Sequence, residues 1–185
     1  RVRCAGMARD VRQGFLDADW YRRAWEAHAK GAPRPEANAG LEMLGEALSG
    51  RLPLFLEAPD EIAVLRAHRL AGEFRLAPVL LGSGQEYKRL EAVAGTGLPL
   101  LIPLKMPEPP KPESPEAARD LPLDELMHWD LAPENPARLA GAGVRFAFTL
   151  RGLKSEAFLP ALRKVRARGL SPDAALAALT TDPAA

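Results

Sequence analysis

Cysteine is nearly absent from this 185-residue chain, where Cys4 stands alone. One thiol forms no internal disulfide and builds no cysteine-based zinc site, so the fold must rest on its core. A lone thiol is compatible with a reducing compartment. Aromatic residues are scarce, at 6%, and no basic stripe is interleaved with them, which argues against nucleic acid as a partner. Charge of one sign is lacking as well: 25 basic side chains stand against 24 acidic ones, for a net charge of +1. No apolar run approaches the ~18 residues that a membrane-spanning helix needs, so no membrane partner is expected. The chain opens Arg1-Val-Arg-Cys4, with neither an initiator Met nor the pattern of a signal peptide, and reads as a piece of a longer polypeptide. What remains is ordinary globular material, 47% apolar and 26% charged, at a length that suits one domain with a real core.

The first fifty residues read as helix. Val11, Phe15, Leu16, Trp20, Tyr21 and Trp25 recur close to a 3.6-residue period, and the Trp20, Tyr21 and Trp25 cluster is read as core or interface packing. Gly31-Ala-Pro-Arg-Pro35 breaks this helix, and a second amphipathic segment carries Leu41, Leu44 and Leu48 to a stop at Gly50. From residue 51 the rhythm changes. Short apolar runs, each too brief for a helix, alternate with helical spacing, and four strands are predicted over residues 52–57, 77–82, 98–103 and 144–149. Strands apolar along their whole length indicate a parallel β/α sheet covered on both faces. Four such units are half of an eight-stranded barrel, and on pattern alone an open four-stranded parallel sheet fits equally. Helices are expected over residues 85–94, 123–131, 155–168 and 174–179, the last capped by Ser171-Pro-Asp173. The proline-rich stretch Pro107 to Pro112 cannot join a central ladder and reads as a loop after the third strand, either facing substrate or decorating the rim. The division expected is an N-terminal helical segment, 1–50, and a β/α segment, 51–185.

Several phrases resemble the amidohydrolase superfamily, in particular its imidazolonepropionase-like branch. They are Leu131-Ala-Pro-Glu-Asn-Pro-Ala137, Leu139-Ala-Gly-Ala-Gly-Val-Arg-Phe-Ala-Phe-Thr149 and the stretch from Gly169 to Ala184, with Ser83-Gly-Gln-Glu-Tyr-Lys88 and Leu52 to Ala58 upstream. The resemblance implies the C-terminal half of a (β/α)8 TIM-type barrel preceded by N-terminal helices. It also implies hydrolysis of non-peptide carbon–nitrogen bonds with zinc or another divalent metal, which makes hydroxide available from bound water near neutral pH. The family's ligands on these strands are a histidine at the end of the fifth, a histidine at the end of the sixth and an aspartate at the end of the eighth. This sequence has Glu57, Ser83 and Arg151 at those places. Glu57 is a hard oxygen donor, Ser83 is a poor zinc ligand, and Arg151 carries a permanent positive charge that repels a cation. No metal is therefore expected on this half. Three readings follow: a hydrolase whose chemistry needs residues outside this segment, a non-catalytic domain that binds a small molecule or another subunit, and a structural fragment with no activity of its own.

Other tempting residues read more plainly. His28, His68 and His128 fall in helical segments, away from strand ends and without the i, i+4 pairing of a shared metal, and are taken as solvated or packing side chains. Gly82-Ser-Gly84 ahead of a helix has the form of an anion site made of backbone N–H groups, although tight βα turns use glycine anyway. The Gly-x-Ser-x-Gly elbow that would make Ser83 a nucleophile is missing. Glu134-Asn135, between two prolines, reads as a helix start. Four β/α units leave edge strands and apolar faces uncovered, so the expected partners are the missing barrel half or a second copy of the chain.

Overall fold

The computed structural model describes residues 2–184. The chain divides into two compact units, residues 1–54 with 69–78 and residues 55–68 with 79–185. The first contains α1 (Val2–His28) and α2 (Ala39–Leu48). Their side chains Phe15, Ala18, Tyr21 and Ala47 are buried. The Tyr21 hydroxyl accepts a hydrogen bond from the Asn38 N–H at 3.0 Å, and Asn38 Oδ1 accepts from Leu41 N at 3.1 Å to cap α2. That cap supplies an acceptor for one of the orphan donors of the first turn. The Phe15 ring lies 5.3 Å from that of Phe74. Trp20 is 64% exposed, which corrects the core alternative expected for it. The buried stripe of α1 runs Phe15, Ala18, Tyr21, and Trp20 lies on the neighbouring, solvated flank.

The second unit holds the sheet. Strands β1 (Phe55–Glu57), β2 (Val79–Leu81), β3 (Leu100–Pro103) and β4 (Phe146–Thr149) pair side by side in chain order, every pair parallel. A doubly wound sheet reverses its strand order at a switch point. Here the order never reverses, which is the winding of a (β/α) barrel. The connections are α3 (Glu61–Phe74) after β1, a 3-10 turn (Glu86–Arg89) running into α4 (Leu90–Ala94) after β2, and a longer excursion after β3. That excursion carries α5 (Pro115–Arg119), α6 (Leu123–Leu131), a 3-10 turn (Ala132–Glu134) and α7 (Asn135–Gly141). After β4 come a 3-10 turn (Ser155–Ala157), α8 (Phe158–Ala167) and α9 (Pro172–Leu179), the last capped by Ser171 Oγ, which accepts from Ala174 N at 3.1 Å.

Strand β1 begins three residues later than its apolar run, and β2, β3 and β4 begin two later. Pro53, Pro78 and Pro99 bring no N–H to the ladder, and the Val144 N–H is taken by Leu139 O at the end of α7. The helix expected over 85–94 divides into a 3-10 turn and a short α-helix. The stretch after Pro112 holds α5, capped by Ser114 Oγ on Ala117 N, where no helix is expected from the pattern.

Register separates the two faces of the sheet. Leu56, Leu80, Leu100 and Phe146 align across the four strands. With Ile102 and Phe148 they join or border the core built with Val64, Val93, Leu139 and Val165. The alternate positions, Phe55, Glu57, Leu81, Leu101 and Thr149, lie outside that core, and Phe55 is 51% exposed. This assignment predicts a contrast. Leu80→Ala, at a fully buried position, should cost about 2–5 kcal/mol, whereas Phe55→Ala should change stability by less than about 1 kcal/mol. Urea denaturation of the two variants checks it, and equal losses would contradict the face assignment.

Candidate functional site

The C-terminal edge of the sheet gathers the polar residues. Glu57 closes β1, and Arg151 follows β4 by two residues. Three interstrand steps at ~4.8 Å each would separate these edge strands by about 14 Å. Two long side chains bridge the interval, Arg151 Nη1 donating to Glu57 Oε1 at 2.6 Å. The Arg151 backbone N–H donates to Thr149 Oγ1 at 3.2 Å. Both charged side chains are largely exposed, at 69% and 65%, so the pair adds little to stability. What it sets is the local field: a fixed cation stands at the strand tips.

Ser83, the third residue of the expected set, belongs to a different construction. It lies in the tight turn after β2, where Gly82 N donates to Leu101 O at 2.8 Å. Glu86 is fully buried and folds back on this turn. Its Oε1 accepts from Ser83 N at 2.8 Å and Gly84 N at 3.2 Å, and its Oε2 accepts from Asn135 Nδ2 at 2.7 Å. Asn135, also buried, completes the link by accepting from Tyr87 N at 2.8 Å through its Oδ1. Four backbone and side-chain donors are thereby satisfied out of contact with water. Gly82 makes this possible, because a Cβ there would run into Glu86 Oε1. The backbone N–H groups that could have held an external anion are occupied by the protein's own carboxyl group, which favours the plain βα-turn reading of Gly82-Ser-Gly84.

The same arrangement leaves Ser83 Oγ buried with no hydrogen-bond partner among the described residues. Ser83 itself belongs to the wall of a pocket of about 220 Å³ at the tips of β2 and β3, with its hydroxyl out of contact with water. Its polar wall is Ser83, Lys105, His128 and Asn135, and its apolar wall includes Ile102, Met106, Pro107 and Pro136. His128 Nδ1 lies 3.3 Å from the Tyr87 hydroxyl, with the two rings stacked. Burial holds the His128 pKa below its ordinary value, assisted by the positive charge of Lys88 and opposed by Glu86. Burial likewise raises Tyr87, so both groups are neutral near pH 7.

Glu57 and Arg151 are thus brought together, while Ser83 faces the pocket, whose walls include neither. His128 packs against Tyr87 and also belongs to that wall. His28 hydrogen-bonds Ala32 O at 2.8 Å beyond the end of α1, and His68 is exposed on α3. Sequence reasoning missed Glu86, although Ser83-x-x-Glu86 carries the spacing of a capping box, of which the glutamate half is formed here. Lys105 and the Asn135 side chain left no local signal, since Asn135 reaches its partners 48 and 49 residues away. No group of three or more His, Cys, Asp or Glu suited to a metal ion occurs among the described residues. No helix among them is long and apolar enough to cross a membrane.

No protein-family model matches the sequence, and no curated protein matches it. Among solved structures, the crystal structure of an amidohydrolase from Thermotoga maritima is similar, with a TM-score of 0.74 and 22% identity. The alignment covers 97% of this chain and 44% of that one, so this chain spans less than half of its solved relative. At this identity the likeness shows the fold: a mixed α/β chain whose four parallel strands, alternating with helices, match part of an amidohydrolase-like barrel.

Two outcomes follow from this geometry. Glu86→Ala should lower stability by about 3 kcal/mol, since each buried donor deprived of its acceptor costs roughly 1–3 kcal/mol. Gly82→Ala should be destabilising for the same reason, and chemical denaturation measures both. Acidification from about pH 7 to about pH 5.5 should also lower stability. The lowered His128 pKa means that the unfolded chain, titrating near the ordinary ~6.5, binds the proton first, and stability then falls with pH. His128→Phe should reduce that slope, and an unchanged slope would assign it elsewhere.

Proposed function

We propose that this chain is part of an amidohydrolase-superfamily barrel, of the imidazolonepropionase-like branch, that binds a small molecule rather than carrying out metal-assisted hydrolysis at these strand ends. The observation that carries this reading is the Arg151–Glu57 ion pair at the strand tips. A divalent metal there would supply a Lewis acid and an activated water, and it needs anionic or neutral donors converging on one point. Here the one carboxylate of the three candidates is engaged by a guanidinium, which keeps its charge at any ordinary pH. The serine hydroxyl is a weak donor that belongs to a separate pocket wall. The residues present do not fit the metal, and no step of a reaction is routed through one.

The fold likeness favours a second reading for a complete barrel: hydrolysis of a non-peptide carbon–nitrogen bond, with metal ligands drawn from outside these four strands. The half-exposed Phe55 and the unpaired outer edges of β1 and β4 suit association with the remaining barrel half or with a second copy of the chain, because uncovered apolar faces and strand edges favour pairing.

Elemental analysis of the purified chain separates the first two readings. The expected result is no stoichiometric zinc, manganese or iron after dialysis without chelator. Stoichiometric zinc that disappears in Glu57→Gln would overturn the proposal. Sedimentation addresses association: a species heavier than the 20.0 kDa monomer is expected, and a clean monomer at micromolar concentration would exclude the homodimer.

A further inference from the structure

The pocket at the tips of β2 and β3 is the part of the molecule whose chemistry is least accounted for by folding. Its wall is mostly apolar, as small-molecule sites are, and its volume lies below the ~300–1,000 Å³ range of drug-sized sites, which restricts it to a small occupant. Three polar residues line it. Ser83 Oγ is out of contact with water and has no partner, while Glu86 takes up the Ser83 backbone N–H. A buried hydroxyl without a hydrogen bond carries a desolvation cost, and rotation about the Ser83 Cα–Cβ bond toward the pocket would let a ligand relieve it. Lys105 makes no ion pair among the described residues, and it is the one fully charged side chain on the wall. Its stem lies against Gly152, at φ +73 in the turn after β4, and a Cβ at Gly152 would come within 3.3 Å of Lys105 Cδ. The third group is the His128 ring. A Tyr87 hydroxyl that donates to Nδ1 leaves the proton of the neutral imidazole on Nε2, as a donor.

We infer that this pocket binds a small monocarboxylate with an apolar body, its carboxylate on the Lys105 ammonium and the Ser83 hydroxyl and its body against Met106, Pro107 and Pro136. The charge count selects this class. One ammonium neutralises one negative charge, whereas a phosphate dianion would leave a second charge uncompensated in a mostly apolar cavity, at high cost. The backbone N–H groups of Ser83 and Gly84, which would otherwise serve a phosphate, are occupied by Glu86. An uncharged ligand would leave the ammonium unused, and a cationic one would be repelled by it. The inference deepens the small-molecule reading proposed above and rests on it.

The test uses the whole chain with its methionine methyl groups labelled, Met106 assigned by Met106→Leu, and three probes: benzoate, benzamide and inorganic phosphate. Benzoate should shift the Met106 resonance saturably, and benzamide, alike in shape but uncharged, should bind at least about tenfold more weakly, the equivalent of about 1.4 kcal/mol. Lys105→Gln should weaken benzoate by about tenfold or more. Because Lys105 is exposed, that variant should keep the wild-type methionine spectrum. Ser83→Ala should weaken benzoate in the same direction. Equal binding of benzoate and benzamide, tighter binding of phosphate, or an unmoved Met106 signal would each overturn the inference. Repeating the titration with a chelator separates this result from the metal question. Benzoate binding that persists supports the Lys105 site, and binding lost with the chelator overturns it in favour of a metal-held carboxylate.

Discussion

A carboxyl group withdrawn from water has to be surrounded by donors, and Glu86 is surrounded by three: the N–H groups of Ser83 and Gly84 and the amide of Asn135. Much of the candidate site depends on that arrangement. It closes the turn after β2, ties that turn to the start of α7, and sets Tyr87 where its ring stacks on His128. It also takes up the backbone donors that a glycine-containing βα turn usually offers to a ligand. The Ser83 hydroxyl is left without a partner on a residue of the pocket wall. One internal hydrogen-bond network thus decides which groups a small molecule could meet.

At the strand tips, too, protein groups satisfy one another. At the edge of the sheet an ion pair between Glu57 and Arg151 stands where the resemblance would place metal ligands. The exposed pair is energetically minor, yet its guanidinium makes the position unsuited to a cation. The strands themselves are held by Leu80, Leu100 and Ile102 on the covered face and not by the residues at their tips. Fold and function draw on different side chains, as they do across barrel proteins generally.

How much of this was legible beforehand depends on how local each signal is. The strands were readable because Leu52 to Leu56, Ala77 to Leu81 and Leu98 to Ile102 are short apolar runs bounded by turn residues. Their true starts were not, because proline keeps the apolar character of a run while removing a ladder donor. Trp20 was grouped with the packed residues because helical periodicity admits two adjacent faces, and only the burial of Ala18 and Tyr21 selects one of them. The helix at Pro115–Arg119 escaped notice among its neighbouring prolines, although Ser114-Pro115 is an ordinary cap and first position.

The sequence by itself determined the alternation of short apolar strands with helices, and with it a parallel β/α sheet. It also determined the identity of Glu57, Ser83 and Arg151 at the strand ends, since these are properties of consecutive residues. Only the tertiary structure decided that Arg151 reaches Glu57, 94 positions away. Only the tertiary structure decided that Asn135 meets Glu86 and Tyr87, and that Lys105 and His128 share a wall with Ser83. Those contacts depend on which strands lie side by side and on where each helix returns to the sheet. Both are set by packing between distant segments, and no local pattern of residues encodes them.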